Sequence, residues 1–241
     1  MTDEVIYSGR ELEAMDFAVN YHRWILAFFR PYLGKRIVEV GAGTGSFSEM
    51  LLAEAIDSLS VVEPSKAMHA QLAQRLAGSQ AMQATTYHAT FRQVAAHLKA
   101  AQAPDCVVYV NVLEHIEDDE GELAAVRTLL ETRDRVCIFV PALSALYSRF
   151  DKRLGHFRRY RKSELEGKCR HAGFNIVASR YFDVLGILPW WLNFTLLGRQ
   201  NLSPGSVRLY DRAVVPLARA MESAIAPPLG KNLILVAERA S

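Results

Sequence analysis

Cysteine is scarce in this 241-residue sequence: Cys106, Cys137 and Cys169 lie far apart, two of them inside the apolar runs Cys106-Val107-Val108 and Val136-Cys137-Ile138-Phe139. Such spacing speaks against a disulfide framework or a bound metal, and fits buried free thiols in a reducing, cytoplasmic setting. Excess charge is also missing. The 28 Lys plus Arg and 26 Asp plus Glu leave a formal charge of +2, which gives no reason to expect a nucleic-acid partner. The N-terminus begins acidic, without the basic segment and apolar run of an export signal. The longest apolar run, 184–197, is shorter than the roughly 20 residues that span a bilayer and contains Pro189 and Asn193, so no transmembrane segment is expected. Repeats and low-complexity tracts are absent, and with 50% hydrophobic residues the chain suits one substantial domain, a monomer or homodimer.

What is present is an alternation of helix and strand patterns. Apolar residues from Glu11 to Arg30, including Leu12, Met15, Val19, Trp24, Ile25 and Phe28, recur at helical spacing until Pro31-Tyr32-Leu33-Gly34 ends the run. Strands are predicted at 36–40, 59–63, 84–88, 105–110 and 135–140, with helices at 46–53, 65–77, 91–99 and 118–131 between them. A helix at 162–172, a strand at 174–182 and a last strand at 232–238 follow. Strands joined through helices imply a doubly wound, mostly parallel α/β sheet of seven strands with helices on both faces. The chain then divides into an N-terminal helical cap (1–34), a cofactor-binding core (35–141) and two acceptor-side insertions (142–161 and 184–230). Ligands in such sheets sit beyond the carboxyl ends of the strands, so the insertions are candidates for a cap over the site.

Immediately after the first strand come Gly41-Ala42-Gly43-Thr44-Gly45, a turn whose glycines let a ligand approach the backbone. Such a turn serves a nucleotide phosphate or an amino-acid carboxylate equally. Two residues favour the second: Ser46 stands where a dinucleotide fingerprint wants its third glycine, and Glu39, two residues before the turn, would attract an ammonium and repel pyrophosphate. Glu63, at the end of the second strand and followed by Pro64, suits the ribose hydroxyls of an adenosine ligand. Its alternative role is an acid at the N-terminus of the next helix.

Val38-Glu39-Val40-Gly41-Ala42-Gly43-Thr44-Gly45, Val62-Glu63 and Asn111-Val112-Leu113-Glu114-His115-Ile116 together resemble the successive motifs of class I S-adenosylmethionine-dependent methyltransferases, in the type 11 or 12 small-molecule branch. The resemblance covers about residues 30 to 140. It implies a Rossmann-like fold, S-adenosylmethionine as cofactor with S-adenosylhomocysteine as product, and methyl transfer to oxygen or nitrogen of a small acceptor. It also implies that Glu39, Gly41, Ala42, Gly43 and Gly45 hold the methionine end, that Glu63 holds the ribose, and that Asn111 and Val112 meet the methionine portion. The acid that the family commonly carries after its third strand is absent here, where His88-Ala89-Thr90-Phe91 stands instead, so Thr90 and Phe91 become the adenine candidates. Competing functions are a nicotinamide-dependent oxidoreductase and a non-catalytic module that binds the cofactor for regulation.

For the acceptor side, His115 is a candidate base or simply part of the wall. In the segment 148–161, Arg149, Lys152, Arg153, Arg158, Arg159 and Arg161 make either a solvated loop or a lid over an anionic or planar acceptor, with His156 or Tyr160 near the reacting atom. Arg149 and Arg158 are the substrate-binding candidates there. Tyr7 is a further lid candidate, whereas Trp24 reads most simply as core. Trp190 and Trp191, in the apolar insertion, line a pocket, a dimer contact or a membrane-facing surface.

Overall fold

A computed structural model describes residues 18–77 and 83–241, so Tyr7, Leu12 and Met15 lie outside the described residues. The strands run β1 (Arg36–Val40), β2 (Ser58–Val62), β3 (Ala84–Tyr87), β4 (Cys106–Val110), β5 (Arg135–Pro141), β6 (Phe174–Phe182) and β7 (Asn232–Arg239). They form one seven-stranded sheet in the order β3-β2-β1-β4-β5-β7-β6. β1 to β5 pair in parallel, and β7 enters antiparallel between β5 and β6. The order reverses at β1, which is flanked by β2 and β4, and the crevice beyond such a reversal is where open α/β sheets take their ligands.

Alternation along the strands sorts side chains into two cores. Ile37, Cys106, Val108, Cys137, Phe139, Ile234 and Val236 pack on one face, and Val38, Val107, Tyr109, Val136, Ile138, Leu233 and Leu235 on the other. Cys106, Cys137 and Cys169 are buried and unpaired. By the same alternation Glu39 shares the face of Ile37, which carries helices α1 (Val19–Phe29) and α2 (Ser46–Leu52). Trp24 is 3% exposed in that core. The expected N-terminal cap is therefore, from Val19 on, mainly a core layer, and Tyr21 and His22 reach the cavity described below.

The opposite face carries α4 (Phe91–Gln102), α5 (Asp119–Leu129) and α7 (Lys162–His171), with α3 (Lys66–Leu76) following β2 on the first face. α6 (Arg149–Arg153) begins the insertion after β5 with Ser148, whose backbone N–H and hydroxyl both donate to Asp151. The longer insertion between β6 and β7 contains helices α8 (Ile187–Trp190), α9 (Pro204–Leu209) and α10 (Val215–Ala224) joined by π-wound segments at Trp191–Leu196 and Tyr210–Val214. It is fastened to α1 by Asp211, which accepts from the backbone N–H groups of Asn20 (3.1 Å) and Tyr21 (2.9 Å). Ala18, at the start of α1, has no cap of its own, so a carboxylate from a distant part of the chain satisfies its first turn.

Candidate active site

At the reversal point the chain leaves β1 through Gly41, Gly43 and Gly45, with φ of 67°, 57° and 87°. These left-handed values strain any side chain. A Cβ on Gly41 would lie 2.6 Å from Val112 Cγ2, whereas one on Gly43 meets no atom within 4 Å. Glycine at 43 thus keeps open a space that the protein itself does not fill. Glu63 braces the turn: one oxygen accepts from Gly43 N and the other from Ser65 N, both at 2.8 Å. Burial pushes the Glu63 carboxyl up, and the two N–H groups offset part of that rise. Ser65 in turn caps α3, so Glu63 does have the helix-start role considered for it.

Glu39 is 2% exposed and accepts from the Ser48 hydroxyl at 2.5 Å. Burial raises its carboxyl to about 7, the Ser48 hydrogen bond works against this, and neighbouring Glu63 adds to it. A buried acid at a cavity wall is poised to release its proton to solvent when a cation arrives beside it.

Glu39, Gly41, Ala42, Gly43 and Asn111 line a cavity of about 950 Å³, within the size range of ligand sites. Asn111 has φ +55°, a strained value for a non-glycine residue, and its N–H donates to Phe139 O across to β5. Glu114, His115 and His156 line the same cavity. His156 Nδ1 lies 3.1 Å from Asp151 Oδ1, and Nε2 lies 4.0 Å from Glu114 Oε1. Asp151 also takes Arg159 Nε at 2.8 Å, a pair in which both side chains are buried. Burial alone would raise the Asp151 carboxyl, but the hydrogen bond from His156 and the Arg159 guanidinium hold it below its usual range. Burial and the nearby His156 pull His115 down to about 3, against hydrogen bonds to the backbone at Gly155 and Leu154, so its ring is neutral at pH 7. The two imidazoles meet edge to face with centroids 4.5 Å apart. Phe150, Trp190 and Phe194 form an aromatic wall, Phe150 and Phe194 stacked at 4.4 Å, and the Arg159 guanidinium lies 4.6 Å from the Trp190 ring centroid.

Several expected site residues stand elsewhere. Tyr160 is fully buried outside this cavity, its hydroxyl donating to Asp119 at 2.7 Å. It joins the loop to α5 and does not line the cavity that His156 lines. Arg158 pairs with the same Asp119 at 2.6 Å, Arg149 is exposed, and Trp191 is 41% exposed; none of the three lines the cavity. Phe91 is buried against Tyr109 in the second core, and Thr90 begins α4 with its N–H on the Gln93 side chain. Val112 packs under Gly41, and Gly45, Glu63 and Pro64 do not line the cavity, Glu63 reaching it only through its bond to the Gly43 N–H. Conversely, Glu114, Asp151 and Lys231 were not singled out from the sequence as site residues, and of the six cations in the loop it is Arg153 and Arg159 that line the cavity. The signal for Glu114 was a carboxylate within the apolar stretch Val112 to Ile116, and for Asp151 the Ser148-x-x-Asp151 capping pattern.

The model of a family described as "Methyltransferase domain" matches residues 15–179, more than half of the chain. No curated protein matches as a sequence relative. Among solved structures, a SAM-dependent methyltransferase from Archaeoglobus fulgidus superposes with a TM-score of 0.63 at 16% identity, over 95% of this chain and 98% of its own. The 1,6-didemethyltoxoflavin-N1-methyltransferase of Burkholderia thailandensis, solved with 1,6-didemethyltoxoflavin and S-adenosylhomocysteine, gives 0.59 at 18% over 97% and 83%. The [4+2]-cyclase SpnF, named for a different reaction, gives 0.61 at 15% over 92% and 81%. This chain belongs to the methyltransferase-domain family and has the Rossmann-like fold of the S-adenosylmethionine-dependent methyltransferases.

Proposed function

We propose that the chain transfers a methyl group from S-adenosylmethionine to an oxygen or nitrogen atom of a small, planar or anionic acceptor held beside His115 and His156. The observation that carries this reading is a shared cavity: the glycine turn, Glu39 and Asn111 open into the same space as the His156–Asp151 pair. The residues fit the cofactor. Room above Gly43 admits a ligand against the backbone, and buried Glu39 matches an α-ammonium in sign and position. Glu63 offers its remaining lone pairs to ribose hydroxyls. When bound, S-adenosylmethionine supplies an electrophilic methyl group on a sulfonium.

The chain's own task is to hold and deprotonate the acceptor away from water. Asp151 accepts from Nδ1–H of His156, which leaves the lone pair on Nε2, facing the cavity, to take a proton from an acceptor hydroxyl. The resulting imidazolium is stabilised by Asp151, which Arg159 keeps ionised. The aromatic wall suits a planar acceptor, and Arg153 and Arg199, on the same wall as the carboxylate-paired Arg159 and Lys231, offer guanidinium groups to an anionic one. The methyltransferase family sets aside the oxidoreductase alternative. The SpnF likeness keeps in view that this fold also carries other chemistry, so the reaction itself needs measuring.

Transfer of a labelled methyl group to an acceptor taken from a panel of phenols, hydroxy acids and amines tests the proposal. The expected outcome is incorporation with one acceptor class, lowered by about 10²-fold or more in His156→Ala with S-adenosylhomocysteine affinity unchanged. Cofactor binding without incorporation for any acceptor would favour the regulatory module. Parallel loss of cofactor binding in His156→Ala would make residue 156 structural.

A further inference from the structure

Glu114 stands out among the buried carboxylates. It is 0% exposed and lines the cavity, yet neither of its side-chain oxygens has a hydrogen-bond partner. Among the described residues the other buried carboxylates each accept at least one hydrogen bond, and Asp151, Asp119 and Asp183 also pair with Arg159, with Lys168 and Arg158, and with Lys231. A buried acid with no hydrogen bond to either oxygen that faces a cavity is arranged to meet a cation from outside. Two imidazoles stand beside it. One ring nitrogen from each of His115 and His156 and one Glu114 oxygen all lie within 4.8 Å of one another, and among the described residues no other set of His, Cys, Asp or Glu comes together this way.

We propose that Glu114, His115 and His156 form a binding site for a divalent transition-metal ion, with its remaining positions open to the acceptor cavity. Two imidazoles and one carboxylate suit zinc, manganese, ferrous iron or cobalt, and suit calcium or magnesium poorly because those prefer all-oxygen ligands. This differs from the expectation drawn from the sequence, where no metal site was foreseen because the ligands are 41 residues apart, as His115 and His156 are numbered.

The surroundings are those of a ligand set. His156 gives its Nδ1–H to Asp151 at 3.1 Å, the carboxylate-to-imidazole bond that fixes the tautomer and orients the other nitrogen toward an ion. Arg159 and the Ser148 N–H and hydroxyl hold Asp151 in turn. His115 is steadied by the backbone at Leu154 and Gly155, and Phe157 N donates to the Glu114 carbonyl at 2.8 Å, so the turn after β4 and the loop after α6 are tied together. Metal bonds of about 2.0–2.2 Å would bring the ligand atoms to roughly 3.0–3.5 Å from one another. Side-chain shifts of about an ångström achieve that.

The site itself stands on geometry alone. The use assigned to it rests on the methyl-transfer reading: with an ion bound, the metal would take an acceptor oxygen on its open side and favour loss of that oxygen's proton to solvent, whereas in the metal-free chain His156 takes that proton. An acceptor with two adjacent oxygens, able to chelate, fits best.

The test uses the whole chain, stripped with a chelator and titrated with Co2+ while visible absorption is recorded, and S-adenosylhomocysteine binding is measured on the same preparation. One Co2+ per chain is expected, displaced by Zn2+, with affinity lowered at least about 100-fold in Glu114→Gln and S-adenosylhomocysteine binding retained. As a check that needs no substitution, Co2+ in the unaltered chain is expected to shift the ring-proton resonances of His115 and His156 before those of the exposed His97 and His171. Absence of stoichiometric Co2+ binding, equal binding by Glu114→Gln, or equal shifts at all four histidines would overturn the proposal. Stoichiometric Co2+ binding without S-adenosylhomocysteine binding would uphold the metal site and sink the cofactor reading instead.

Discussion

Gly43 and Glu39 do different work within one turn, and each yields its own prediction. Because a Cβ at 43 meets no protein atom, Gly43→Ala costs the fold only the strain of a left-handed φ, about 1–2 kcal/mol. The same Cβ stands in the space assigned to the cofactor, so S-adenosylhomocysteine affinity is expected to fall by tenfold or more while thermal denaturation still shows a cooperative transition. A fall in melting temperature with affinity intact would put the ligand elsewhere. Glu39, raised to about 7 by burial, keeps its proton in the free protein at pH 6 and must lose it to face an ammonium. Calorimetry from pH 6 to pH 8 is therefore expected to show S-adenosylhomocysteine affinity rising, by up to about tenfold per pH unit below 7, and a flat profile would remove Glu39 from the ammonium site. The sign for folding is opposite. The unfolded carboxyl gives up its proton near 4.5, so this residue's contribution to stability falls as pH rises from there to about 7.

At the scale of elements, the periodic part of the chain was readable. All seven strands were legible, the central parallel ones because they are near-continuous apolar runs, and the observed ends differ from expectation by one residue or so. The glycine turn was legible because its chemistry is local. Partners far apart in sequence were not. Six cations mark the loop 148–161, but Asp119 on α5 draws Arg158 away from the cavity, and Asp151 brings Arg159 to its wall. Tyr160 likewise follows Asp119. The antiparallel entry of β7 depends on which edge the chain returns to after 184–230, and no residue within β7 announces it. The insertion is held to α1 by its Asp211, and Asp211→Ala is expected to cost about 1–2 kcal/mol, lowering the melting temperature by roughly 2–8 °C. An unchanged melting temperature would mean that the two N–H groups find other acceptors.

Across the whole molecule, segments from α1, β1, β4, the loop after β5 and the insertion after β6 converge on one cavity. Among the described residues, no helix is long and apolar enough to cross a membrane. The central claim is that this cavity takes S-adenosylmethionine through the turn after β1, and the most direct measurement is calorimetric titration of the chain and of Glu63→Ala with S-adenosylhomocysteine and with NAD. One S-adenosylhomocysteine per chain is predicted, weakened by about 1–3 kcal/mol in Glu63→Ala because ribose hydroxyls and the Gly43 N–H lose their acceptor, with no comparable binding of NAD. Tight NAD binding, or S-adenosylhomocysteine affinity unchanged by Glu63→Ala, would contradict it.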